Sequence, residues 1–92
     1  MLYMNILTWS PDKRDAVIAR SKKIGFEHAG MKTIGTWVEA TGRRAYQLVD
    51  IPRDMDPALS LKNNFAWNDV IEIVSYPLVE ASDMIKFVES MK

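Results

Sequence analysis

An α+β fold with one four-stranded antiparallel sheet is the architecture this sequence predicts, on three observations. Short β-rich runs recur at 2–9, 31–39, 43–51 and 70–76, each bounded by turn residues. Two proline signals, Ser10-Pro11 and Asp56-Pro57, open stretches with helical apolar spacing. The resulting order is strand, helix, strand, strand, helix, strand, with a short helix appended. That order is the split βαβ, ferredoxin-like arrangement, and 92 residues fit one domain, 1–92.

Each element has a local cause. In LYMNILTW, residues 2–9, apolar side chains dominate a run of strand length. Ser10 is the expected N-cap of the first helix, with Pro11 at its first position and Asp12 at its positive end. Val17, Ile18, Ser21 and Ile24 share one face, and Gly25 is the expected stop. The basic residues Lys13, Arg14, Arg20, Lys22 and Lys23 read as a solvated outer surface. Asp56-Pro57 starts the second helix, expected to reach about Trp67 with Ala58, Leu61 and Phe65 inward. Residues 70–76 form the last strand, and Pro77 ends its ladder. Ser82 is the expected cap of the third helix, where Met84, Phe87, Val88 and Met91 make an i, i+3, i+4, i+7 stripe. A helix that short needs something to dock on.

The hairpin turn sets the face assignments. A two-residue Thr41-Gly42 turn would force a β-branched residue to positive φ. A three-residue loop, Ala40-Thr41-Gly42, places only Gly42 in the left-handed region. It predicts Trp37 facing Ala45, Gly35 facing Gln47, Thr33 facing Val49, Ile34 facing Leu48 and Lys32 facing Asp50. A one-residue slip would put Trp37 beside Tyr46 and scramble the faces.

With this register the strands have two different buried faces. One is aliphatic: Met4, Ile6, Ile34, Val38, Leu48, Ile71 and Ile73. The other carries Tyr3, Asn5, Leu7, Trp9, Trp37, Gln47, Val49, Glu72, Val74 and Tyr76. Helices on the aliphatic face would leave a second apolar surface of well over a few hundred Å² bare. A partner copy would cover it, giving a dimeric α/β barrel around a polar-floored cavity.

Composition excludes several classes. Twelve basic and twelve acidic residues cancel, so the basic surplus of a nucleic-acid binder is missing. With no Cys and one His, no thiol nucleophile or protein-built transition-metal site is expected, and no cofactor. No run approaches the ~20 apolar residues of a membrane span, and MLYMNILTWS lacks the basic start of a signal peptide. The expected location is cytoplasmic.

An ordered series runs through the chain: Met1-Leu2-Tyr3-Met4, Trp37-Val38-Glu39, Gly42, Arg44, Tyr46-Gln47-Leu48, Trp67-x-Asp69, Ile71-Glu72-Ile73 and Pro77-Leu78. It resembles a family of roughly 90-residue prokaryotic proteins catalogued as a domain of unknown function, within the dimeric α/β-barrel superfamily. The resemblance covers Met1 to about Leu78. It implies the fold and a homodimer, and no particular activity.

Six residues are candidates for ligand binding: Asn5, Trp37, Gln47, Trp67, Glu72 and Tyr76. Glu72 is the candidate acid or base, because a carboxylate facing a closed cavity has a desolvated charged form and a raised pKa. A structural Glu bonded to Asn5 or Gln47 is the plainer alternative. Asn5 and Gln47, on adjoining strands, offer donors and acceptors to a carbonyl or hydroxyl. Trp37, Tyr76 and Trp67 can wall an aromatic pocket, though such residues are more often simply core or interface packing. His28, in the loop after the first helix, reads as solvent-exposed. The function expected is a homodimeric protein binding a small, partly apolar molecule. The alternatives are a cofactor-independent monooxygenase-like or isomerase-like enzyme using Glu72, and a structural dimer without a ligand.

Overall fold

A computed structural model describes residues 1–28 and 30–92. Strand β1 (Leu2–Thr8) leads through a 3-10 turn (Pro11–Lys13) into helix α1 (Arg14–Ile24). Strands β2 (Lys32–Val38) and β3 (Arg44–Asp50) form a hairpin, followed by helix α2 (Pro57–Phe65), strand β4 (Glu72–Pro77) and helix α3 (Ala81–Ser90). The sheet order is β2-β3-β1-β4 and every pairing is antiparallel. This is the α+β, ferredoxin-like arrangement expected from the element order.

Capping explains two of the helix boundaries. The Asp56 carboxylate accepts from the Ala58 N–H at 2.9 Å, and Pro57 occupies the first turn of α2. Gly25 closes α1 at φ +71°, its N–H donating to the Ser21 carbonyl. Ser10 departs from expectation. It precedes the 3-10 turn and donates to the Asp12 carboxylate, so it does not cap a backbone N–H. Glu80, and not Ser82, is the residue before α3.

The hairpin corrects the face assignments. Gly42 alone takes positive φ, at +73°, as the turn argument requires. The loop, however, has four residues, because Arg43 also stays unpaired: the Glu39 N–H donates to the Arg44 carbonyl at 2.8 Å. Strand pairing therefore starts one residue out of step. Val38 faces Ala45, Trp37 faces Tyr46, Thr36 faces Gln47 and Gly35 faces Leu48. A bulge at Ile34 then absorbs the extra residue, so Thr33 faces Val49 and Lys32 faces Asp50, as expected. The slip puts Trp37 and Gln47 on opposite faces.

The last strand is also turned over relative to expectation. Thr8 pairs with Glu72, Ile6 with Val74 and Met4 with Tyr76. Glu72, Val74 and Tyr76 thus share the face of Met4 and Ile6, while Ile71 and Ile73 lie with Leu7. The core forms on the Leu7 face: Leu7, Val17, Ala45, Trp67, Val70 and Ile71 pack together there. Helix α1 contributes Val17 to it, and the turn after α2 contributes Trp67 and Val70. The helices therefore cover the face that carries Asn5 and Gln47, reversing the expected side.

This reversal also sets which side of each helix is inward. Leu59, Ser60 and Asn63 are the half-buried positions of α2, whereas Leu61 and Phe65 are 53% and 65% exposed. On α1, Val17 is buried but Ile18 and Ile24 are exposed. Arg20 is more than solvated surface: it grips Asp69 through both guanidinium NH groups and donates to the Ala66 carbonyl at 2.9 Å. That fork ties α1 to the turn after α2. None of the residues of α3 is buried. The radius of gyration is 15.4 Å, against about 12 Å for a compact chain of this length.

Candidate functional site

Gln47 organises the site. It sits mid-strand in β3 at 1% exposure, where an unpartnered carboxamide would cost about 1–3 kcal/mol. Its three polar contacts are all made. The amide nitrogen donates to the Phe26 carbonyl at 2.6 Å and to Thr36 Oγ1 at 3.3 Å. With both donors committed, the carboxamide oxygen is left as an acceptor, and it lies 3.0 Å from His28 Nε2. The bond requires a proton on Nε2.

His28 is therefore half-buried against the sheet, and the sequence-based picture of an exposed loop histidine is corrected. A chain turn after Gly25 brings Phe26 and His28 down over β3. Burial pushes the imidazole below its ordinary value of 6.5, and the Gln47 bond opposes that shift without cancelling it. The ring is consequently neutral at pH 7.

Two cavities flank His28. The first, about 210 Å³, lies between α1 and the sheet, lined by Leu7, Trp9, Val17, Phe26, Ala45, Trp67 and Ile71 among others. Phe26 and Trp67 stack with ring centroids 6.0 Å apart and planes 8° from parallel, forming one aromatic wall. Apart from His28 and Gln47, its few polar contributors, such as Arg14 and Ser21, come from α1. The second cavity, about 260 Å³, is more polar and is bordered by Tyr3, Asn5, His28, Ser60, Asn63 and Ser75. There Ser75 donates to Asn5 Oδ1 at 2.7 Å.

Three of the six sequence candidates, Asn5, Gln47 and Trp67, are thus brought together beneath the helices. The other three are not. Trp37 is 56% exposed and Tyr76 52%, both on the open face. Glu72 is exposed on that face too, at the start of the edge strand β4, so the enclosure its acid-base role needs is missing. The Trp37 ring packs over Gly35, where a Cβ would lie 2.6 Å from it. Phe26 and His28 are the site residues that sequence reasoning missed. Both precede β2 in an irregular segment with no periodicity, so only tertiary contact with Gln47 identifies them.

Residues of the sequence series make two ties across the fold. The Tyr46 hydroxyl donates to Glu39 at 2.6 Å across the hairpin end, and Asp69 holds Arg20. Among the described residues, no group of three or more His, Cys, Asp or Glu side chains is placed to hold a metal ion. Nor, among them, is any helix long and apolar enough to cross a membrane.

A four-stranded antiparallel α+β sheet with a largely apolar cavity between α1 and the sheet is the class of structure these features define. The chain belongs to the family described as Domain of unknown function (DUF3303), whose model matches residues 1–92. No curated protein matches the chain.

Proposed function

We propose that this protein binds a small, partly apolar molecule between its sheet and its own helices, and that it works as a homodimer closed over the opposite sheet face. The observation that carries the binding reading is the 210 Å³ apolar cavity ending on the His28–Gln47 pair. Its size suits one ring: a dry cavity of roughly 150 Å³ already accepts benzene. It is smaller than the ~300 Å³ lower bound of drug-sized pockets. Aromatic walls and a few placed polar groups are the usual makings of a specific small-molecule site.

The dimer reading rests on the open face. Met4, Ile6, Tyr46, Leu48, Val74, Tyr76 and Trp37 come from all four strands and lie on it, none of them fully buried. An antiparallel sheet that meets water normally shows polar residues there. A second copy presenting the same face would cover it through a self-complementary two-fold contact. The cavity itself needs no partner residue, so binding and dimerisation are separable. Glu72 is exposed in the single chain, so an enzymatic reading through it depends on the second copy enclosing the open face.

Binding is tested by titrating single-ring molecules into the wild type and into Ala45→Phe, whose added ring fills the cavity from the sheet. Saturable binding to wild type and none to a folded Ala45→Phe is the expected result. Equal binding to both would place the ligand elsewhere. Light scattering after size exclusion tests the dimer, with a monomer at micromolar concentration as the contrary result.

A further inference from the structure

We infer that the ligand is of the phenol class, a single ring carrying one hydrogen-bond donor, and that His28 Nδ1 is the acceptor that reads it. The inference rests on the cavity reading above and adds the chemistry of its polar end. Gln47 fixes the imidazole tautomer from below. Its two N–H donors are spent on Phe26 and Thr36, so only its oxygen can face His28 Nε2, which must carry the proton. In a neutral ring Nδ1 then holds a bare lone pair.

That lone pair has no partner among the described residues. It is not sealed away either, for the one buried side-chain polar atom without a partner among them is Thr33 Oγ1. His28 borders both cavities, and the proposed pose sets the ligand hydroxyl on Nδ1 with the ring on the apolar side. An acceptor at that position selects a donor on the ligand and disfavours an anion. Near-parallel Phe26 and Trp67 favour a flat ring over a branched aliphatic chain. A phenol, neutral up to about pH 10, enters without losing a charge to solvent.

Few charges compete. Arg14 lines the α1 side of the apolar cavity, but its side chain is 64% exposed and contacts Asp15 at 3.4 Å. On the sheet side, Tyr3 is the one further titratable residue among those lining the two cavities. Glu27, next to His28 in the chain, is exposed.

The test has two readings on the intact protein. His28 is the sole histidine, so long-range nitrogen correlation of the labelled wild type reports one imidazole. The expected spectrum at pH 7.5 shows a protonated Nε2 and a bare Nδ1; the opposite tautomer overturns the inference. Phenol, toluene and benzoate are then titrated in parallel. Phenol should bind about five-fold tighter than toluene, the ratio expected of one net hydrogen bond, and tighter than benzoate. The advantage over toluene should vanish in His28→Phe, and in the wild type as pH falls through the His28 titration. If toluene matches phenol, or benzoate exceeds it at pH 7.5, the donor-reading claim fails while the cavity stands. If none of the three binds, both fall.

Discussion

The two faces of this sheet differ in a way that inverts a simple hydrophobicity count. The face carrying Asn5 and Gln47 is the one its own helices bury, at 7% and 1% exposure. The face carrying Met4, Ile6, Leu48 and Val74 is the open one. Polar groups enter a core when their hydrogen bonds are completed inside it, and Gln47 completes all of its bonds with Phe26, Thr36 and His28. The open face has no such requirement, and in the single chain it is uncovered. Burial follows which side the helices dock on, and that side is the one where polar side chains find partners.

The comparison can be broken most forcefully at Gln47. Gln47→Leu keeps the volume but strands the His28 N–H and relieves the Phe26 carbonyl of its side-chain donor. Urea unfolding should register a loss of about 2–4 kcal/mol. A loss under 0.5 kcal/mol would mean that the network does not hold the helix-covered face.

On the open face, Val74→Glu should act on association and leave the covered core alone. It would place a charge in the proposed contact between copies, so if the wild type is a dimer, light scattering should show the variant as a monomer at the same concentration. The pH response belongs to the covered face. The folded-state value of His28 lies below its unfolded one, so the stability gained by keeping it neutral is present above about pH 6.5 and is lost as pH falls through the folded value. His28→Phe should flatten that slope, measured by unfolding across pH 5–8.

Two smaller effects sharpen the contrast. Thr33 Oγ1 is buried without a partner, so Thr33→Val should raise stability by about 1 kcal/mol. Glu72→Gln, on the open face, should change stability by less than about 0.5 kcal/mol and leave ring binding untouched. A loss of binding there would restore Glu72 as a site residue.

Much of the fold was legible from local chemistry. The Asp56-Pro57 start of α2, Gly25 as a stop and Gly42 at positive φ are decided within a few residues, and the structure has them as expected, whereas Ser10-Pro11 opens a 3-10 turn ahead of α1. The element order carried the sheet topology. What local chemistry could not carry was register. One extra unpaired residue, Arg43, and one bulge, Ile34, move Trp37 to the other face while leaving Thr33 and Lys32 paired as expected. Gly35 beside the bulge was the available signal, since an isolated strand glycine marks such irregularities. The site was half legible. Asn5, Gln47 and Trp67 stand out as buried-strand polar groups and a helix-end aromatic. His28 and Phe26 do not, because their roles come from a chain turn that folds an irregular segment onto β3.

The central claim is that the binding site lies beneath the helices. Its most direct test is a map of backbone and methyl shifts as phenol is titrated into the labelled protein. The account predicts saturable changes clustered at Val17, Phe26, His28, Ala45, Gln47 and Ile71, with Trp37, Glu72 and Tyr76 unmoved. Changes centred on Trp37, Glu72 and Tyr76 would contradict it and return the site to the open face.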